Sequence, residues 1–230
     1  MVNYDALPLF PLQAVLFPEI PMPLHIFEPR YREMIAFCRD TNSPFGLVLM
    51  QPTGEPGEAA LCAVGTTARL SQTDELEDGC LDILVTGETR FRIREVYDDL
   101  PYLTAQVEPF WERSSDPLTL QGPYDAIGGL FRKYLDGLAA LIDRPLSAVQ
   151  LPQEPETLSF AVASVLQISL GEKQKLLALN TTEARLRLEV DILTREIEAQ
   201  ASLTVTRRAP KKPIIAPVDV RELGKLSSLN

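Results

Sequence analysis

A single histidine, His25, bounds the proton chemistry open to this 230-residue chain. A nucleophile–base pair built on imidazole could use only that ring, and a metal site around it would need thiolate or carboxylate partners at ligand spacing. None flanks it, so His25 reads as structural. Cys38, Cys62 and Cys80 are odd in number, widely spaced and form no C-x-x-C pair. A disulfide framework or zinc site is therefore not expected, and a reducing compartment fits. Glu75, Glu77 and Asp78 cluster, but without the alternating D-x-D-x-D-G spacing of a calcium loop, and they read as a solvated turn. No G-x-x-x-x-G-K-[ST] stretch is present to cradle nucleotide phosphates. The residues thus imply no catalytic set, no metal and no cofactor. Phe110 and Trp111 remain, at the junction of the two halves of the chain described next. Packing of one half on the other is the first reading of this pair. A binding contact is the second, because clefts favour domain junctions and tryptophan is enriched in binding hot spots.

The elements that would position these residues divide into a β half and an α half. Leu7–Phe10 and Ala14–Phe17 are short apolar runs cut by Pro8, Pro11 and Pro18, which predicts edge or irregular strands. Pro29 suits a first helical turn, and Tyr31, Met34, Ile35 and Cys38 make an apolar stripe, so 29–40 is predicted helical. Further strands are expected over 45–50, over 61–70 with Gly65 at a bulge, and through Leu103, Ala105 and Val107. Residues 73–79 read as an acidic turn. Residues 80–97 read as a hairpin turning through Thr86–Thr89. About six strands with short connections and one inserted helix suggest a closed or half-closed β-barrel.

From Pro123 the period changes. Ile127, Leu130, Phe131, Tyr134, Leu135, Leu138, Leu141 and Ile142 follow the helical pattern. A second helix is expected from Pro155. A third follows Ser169-x-x-Glu172, which has capping-box spacing. A fourth follows Asn180-x-x-Glu183 and carries Leu186, Val190, Leu193 and Ile197, with Glu183 placed to pair with Arg187. The expected organisation is a β subdomain over 1–112, a linker over 113–122, a helical bundle over 123–203 and a flexible tail over 204–230.

Hydrophobic residues make up 45% of the chain and the net charge is -10. An acidic surface repels phosphates and anionic lipid heads, so nucleic acid and membrane are not expected partners. The short basic cluster Arg207, Arg208, Lys211 and Lys212 is too small for a DNA-binding face. The N-terminus lacks signal-peptide character, and no apolar run approaches the ~20 residues of a membrane span. A soluble cytoplasmic protein of unknown oligomeric state is expected.

Three blocks, in order, carry a family resemblance. They are Leu7-Pro-Leu-Phe-Pro-Leu-Gln-Ala-Val-Leu-Phe-Pro18 with Pro21 to Tyr31; Val64-Gly-Thr-Thr-Ala68 with Gly87-Glu-Thr-Arg90-Phe-Arg-Ile93; and Glu172 to Leu177 with Glu183-Ala-Arg-Leu186. Together they resemble the N-terminal substrate-binding domain of Lon proteases. The resemblance implies an α+β fold, with a PUA-like β-barrel followed by a C-terminal helical bundle. It implies binding of unfolded or specific client proteins and peptides, with an adaptor or chaperone-like role. It does not imply proteolysis, since the P-loop and the lysine-activated serine of Lon belong to domains that the resemblance does not cover. A small-molecule or regulatory domain is the alternative, and RNA binding is disfavoured by charge. Glu28, Arg30 and Arg90 match charged motif positions, where they would anchor the first helix to the barrel or touch a peptide. With Tyr31, Phe110 and Trp111 they are the candidate peptide contacts.

Overall fold

The computed structural model describes residues 4–52, 59–142 and 151–208. Seven strands come first: β1 (Leu7–Leu12), β2 (Pro21–Ile26), β3 (Phe45–Pro52), β4 (Ala59–Leu61), β5 (Val64–Glu75), β6 (Leu81–Tyr97) and β7 (Thr104–Pro109). The helix α1 (Pro29–Asp40) lies between β2 and β3. Four helices follow: α2 (Pro117–Ile142), α3 (Pro155–Val165), α4 (Leu170–Ala178) and α5 (Thr182–Arg208). Residues 209–230 of the expected tail, with Lys211 and Lys212 of the basic cluster, fall outside the described residues.

The sheet is mostly antiparallel, in the order β1-β7-β6-β5-β3-β4, with β2 on β6. A parallel β1–β3 pairing brings the path back to its start. This makes β1 an interior strand despite its prolines, against the edge placement expected. It shares its length between neighbours: Leu7 and Pro8 pair with β7, while Leu9 to Leu12 pair with β3. Leu7, Leu9, Val48, Phe91, Ala105 and Val107 form one buried cluster of the sheet. Strand β2 is a genuine edge, where Pro21 and Pro23 sit without breaking a central ladder.

The expected hairpin at 80–97 is one 17-residue strand, β6. Gly87 lies in its middle, and a Cβ there would stand 2.2 Å from the Phe17 carbonyl oxygen. The glycine therefore marks a close approach of two backbones. The segment in contact is the loop carrying Ala14–Phe17, expected as a strand. It is tied by Glu19 N–H to the Gly87 carbonyl (2.9 Å) and Gly87 N–H to the Ile20 carbonyl (3.1 Å). Gly65 likewise serves packing: a Cβ would meet Phe91 at 2.6 Å, and the register shifts of β5 fall later, after Thr66 and Leu70. The expected 61–70 strand divides into β4 and β5, and β5 absorbs Thr73 to Glu75 of the predicted turn. Cys62 and Cys80 lie beside strands, partly buried, while Cys38 is buried on α1.

In the helical half, α2 starts six residues before Pro123. The Asp116 carboxylate accepts the Leu118 N–H (2.9 Å), so Asp116-Pro117 is the start signal and residues 117–122 of the expected linker are helix. Pro123, inside the helix, cannot donate to the Thr119 carbonyl; an Arg187 nitrogen lies 3.5 Å from that oxygen. The Ser169–Glu172 capping box is formed, and Glu183 pairs with Arg187. α5 continues to Arg208, past the predicted start of the tail. One cluster joins the halves: Phe17, Leu49 and Val64 pack with Phe131, Tyr134, Phe160, Leu176, Leu186 and Leu193.

Candidate functional site

The chemistry of the molecule concentrates where β6 meets the helices. Arg90, on β6, is 3% exposed. Nη1 donates to the carbonyls of Leu177 (2.7 Å) and Leu179 at the end of α4, and Nη2 pairs with Glu112. Its guanidinium stacks on Phe110 and Phe160, 4.6 and 5.3 Å from the ring centroids. Burial lowers its pKa to about 10, against the attraction of Glu112. Arg90 therefore remains a cation at neutral pH, spent on the α4 terminus rather than on α1 as expected.

A second guanidinium lies beneath it. Arg185, at 0% exposure, reaches both oxygens of Glu112 (3.3 Å each), donates through Nε to Ser159 (2.7 Å), and stands 4.0 Å from the Phe160 centroid. Phe160 is thus shared by two cations, a contact that desolvation strengthens. The Ser159 hydroxyl donates a hydrogen bond to Glu189 (2.9 Å), whose other oxygen has no partner among the described residues. Burial pushes the Glu189 carboxyl well above the glutamate range, more strongly than the Ser159 bond and the Arg185 charge pull it down. Thr182 adds a 2.8 Å bond to Glu112. One carboxylate, Glu112, therefore bridges a strand arginine and a helix arginine, locking the sheet to α4 and α5.

Above this lock opens a cleft of about 350 Å³. Its floor is Arg90, Phe110 and Phe160; its walls include Glu19, Glu88, Glu154 and Glu156; Trp111 stands at its side, 66% exposed. The turn Phe17–Ile20, closed by the Ile20 N–H to the Phe17 carbonyl (3.3 Å), holds Glu19 at a left-handed φ of 62°. Glu154 caps α3 through the Thr157 N–H (2.7 Å).

The sequence candidates thus separate. Arg90, Phe110 and Trp111 line the same cleft, whereas Glu28, Arg30 and Tyr31 do not. Trp111 is not the packing residue first expected; Phe110 takes that part. Glu28 and Arg30 bond each other at the surface (2.7 Å), with no hydrogen bond to the sheet among the described residues, and Arg30 covers the ring of buried Tyr31. His25 pairs with Asp82 across β2 and β6, both about half exposed. Asp78 accepts the Cys80 N–H in a turn with Gly79 at φ 78°. No group of three metal-ligating side chains occurs among the described residues, and no described helix is long and apolar enough to cross a membrane. Sequence reasoning missed Glu112, Glu156, Phe160 and Arg185. The adjacency of Glu112 to Trp111, and Arg185 within a motif block, were the available signals.

The family model of the ATP-dependent protease La (LON) substrate-binding domain matches residues 6–195. The chain belongs to this family. Among its relatives are the Lon protease of Dictyoglomus thermophilum, 24% identical over 196 residues, and Lon protease 2 of Myxococcus xanthus, 27% identical over 201. Each alignment takes in 84% of this chain but only 25% and 24% of those proteins, so the chain spans about a quarter of their length. The crystal structure of a Lon N-terminal domain protein from Xanthomonas campestris matches 80% of this chain and 95% of its own, with TM-score 0.56 and 28% identity. The N-terminal domain of the Mycobacterium avium complex Lon protease shares the fold at TM-score 0.55 and 17% identity. These solved domains share this chain's fold, and here the Arg90–Glu112–Arg185 lock adds to the apolar cluster that joins the two halves.

Proposed function

We propose that this chain is a non-catalytic substrate-recognition module that binds unfolded or exposed segments of other proteins, in an adaptor or chaperone-like role. We read the ring of strand pairings as a small barrel and α2 to α5 as a bundle, with the binding cleft at their junction. The observation that carries the reading is the exposed indole of Trp111 beside a rigid floor of Phe110, Arg90 and Phe160, in a domain of the LON substrate-binding family. A rigid aromatic anchor over a preformed cleft is how binding hot spots are built. Arg90, Phe110 and Trp111 are the peptide contacts; Glu28, Arg30 and Tyr31, away from the cleft, fix the start of α1. Three free cysteines and the charge of -10 suit a cytoplasmic protein whose partners are polypeptides rather than nucleic acid.

Fluorescence anisotropy of labelled casein tests this. The full chain gives saturable binding, Trp111→Ala weakens it at least tenfold, and casein stays intact with or without ATP. Cleavage that survives further purification contradicts the non-catalytic reading; equal binding by Trp111→Ala contradicts the cleft.

A further inference from the structure

We propose that the cleft selects segments in which a lysine or arginine neighbours an apolar side chain, the cation seated against Glu156 and the apolar group against Trp111. The proposal rests on the cleft being the binding site and adds the chemistry of its occupant. Charge complementarity carries it. Glu112 is neutralised by Arg90 and Arg185, and Glu88 by Arg69. Glu19 has neither hydrogen bond nor ion pair from any described side chain, and Glu154 accepts only a backbone N–H. The side chain of Glu156, half-buried in the first turn of α3, takes part in no hydrogen bond or ion pair among the described residues.

The surroundings of Glu156 favour a visiting cation. Burial, and then repulsion by Glu112 and Glu154, raise its pKa; the charges of Arg185 and Arg90 oppose this without cancelling it. Among the described residues Arg90 is the only cation lining the cleft, and its Nη1 and Nη2 are committed to the Leu177 and Leu179 carbonyls and to Glu112. Arg92 stacks at 4.8 Å on Phe110 but does not line the cleft. Arg113, which lines a neighbouring pocket with Glu154 and Glu156, does not line this cleft either, so an incoming ammonium or guanidinium meets Glu19, Glu154 and Glu156 across a wall with no other cation among the described residues. Beside them the indole face of Trp111 serves both an apolar side chain and a cation. An acidic segment would face the same carboxylates and be repelled.

The test uses the full chain and three tryptophan-free, fluorescein-labelled peptides. They share length and apolar residues and differ only in flanking Arg, Gln or Glu. Trp111 is the chain's only tryptophan, so its emission reports cleft occupancy. We expect the Arg peptide to bind at least tenfold tighter than the Gln peptide and the Glu peptide to bind weakest, with the Arg preference shrinking as salt rises. Glu156→Gln should narrow the Arg-to-Gln ratio severalfold, while Glu77→Gln, the same charge change at a distant turn, should leave it intact. Equal narrowing by both variants would assign the preference to the overall charge and overturn the proposal. Arg and Gln peptides that shift Trp111 emission with equal affinity would overturn the charge selection while leaving the cleft in place. Peptides that bind without moving Trp111 would refute the cleft and this proposal with it. In the free chain Trp111 should be open to iodide. Shielding at all concentrations would mean that the chain's own C-terminal segment fills the cleft, and shielding that grows with concentration that a second copy does; either overturns the proposal.

Discussion

Arg90 and Arg30 both match the family motif, but truncating them should have very different consequences. Arg90→Met strands the Leu177 and Leu179 carbonyls, removes one of the two cations on Glu112, and replaces a guanidinium stacked on two rings. Breaking one partner of a buried charge pair costs roughly 3–5 kcal/mol, and each stranded buried carbonyl about 1–3 kcal/mol more, without strict additivity. Arg185 remains on Glu112, and the methionine stem recovers some packing. A net loss of about 3–5 kcal/mol follows, a large share of the roughly 5–15 kcal/mol that holds a domain. Arg30→Ala removes a pair whose side chains are 51% and 38% exposed, for which screening leaves at most about 1 kcal/mol. Urea unfolding followed by far-ultraviolet circular dichroism measures both, with Arg90→Lys as a milder variant that keeps the charge but loses the fork. A loss below about 1 kcal/mol for Arg90→Met would refute the assignment of the lock.

The glycines divide by what a methyl group would meet. Gly87→Ala drives a Cβ into the Phe17 carbonyl and should cost at least about 1–3 kcal/mol, while Gly129→Ala, exposed on α2 with nothing within 4 Å, should stabilise by about 0.5–1 kcal/mol; thermal unfolding gives both signs. Glu189 has a raised folded pKa, so its folded state holds a proton that the unfolded chain releases near the ordinary glutamate value of about 4.3. Its contribution is complete below that value and is lost as pH rises toward the folded pKa, by up to about 1.4 kcal/mol per pH unit. Glu189→Gln should therefore gain stability relative to wild type as pH rises above the ordinary glutamate value, as read by urea midpoints at each pH.

Features carried by local chemistry were legible in the sequence. The Ser169–Glu172 capping box, the Glu183–Arg187 pair, the α1 stripe and the change from period 2 to period 3.6 all depend on residues within one or two turns. Features that depend on distant partners were not. A glycine between apolar runs reads as a turn, yet Gly87 answers to the backbone of Phe17, seventy residues earlier. The prolines of 21–26 hid β2, because a proline-tolerant edge exists only once β6 supplies its other side. In the site, Arg90 and Trp111 could be singled out by motif and by residue type. Arg185 and Glu189 could not, because only Glu112 from the β–α junction and Ser159 from α3 make their burial tolerable. Trp111 was misjudged for a related reason, since Phe110 had already filled the packing position.

The most direct test of the central claim is the emission of Trp111 during titration of the full chain with an unfolded, tryptophan-free polypeptide. Because no other tryptophan contributes, saturable binding in the cleft should bring a blue shift, and protection from iodide, that follow occupancy point for point. Saturable binding, seen by anisotropy of the labelled polypeptide, that leaves Trp111 as exposed as in the free chain would contradict the account and move the recognition surface away from the sheet–helix junction.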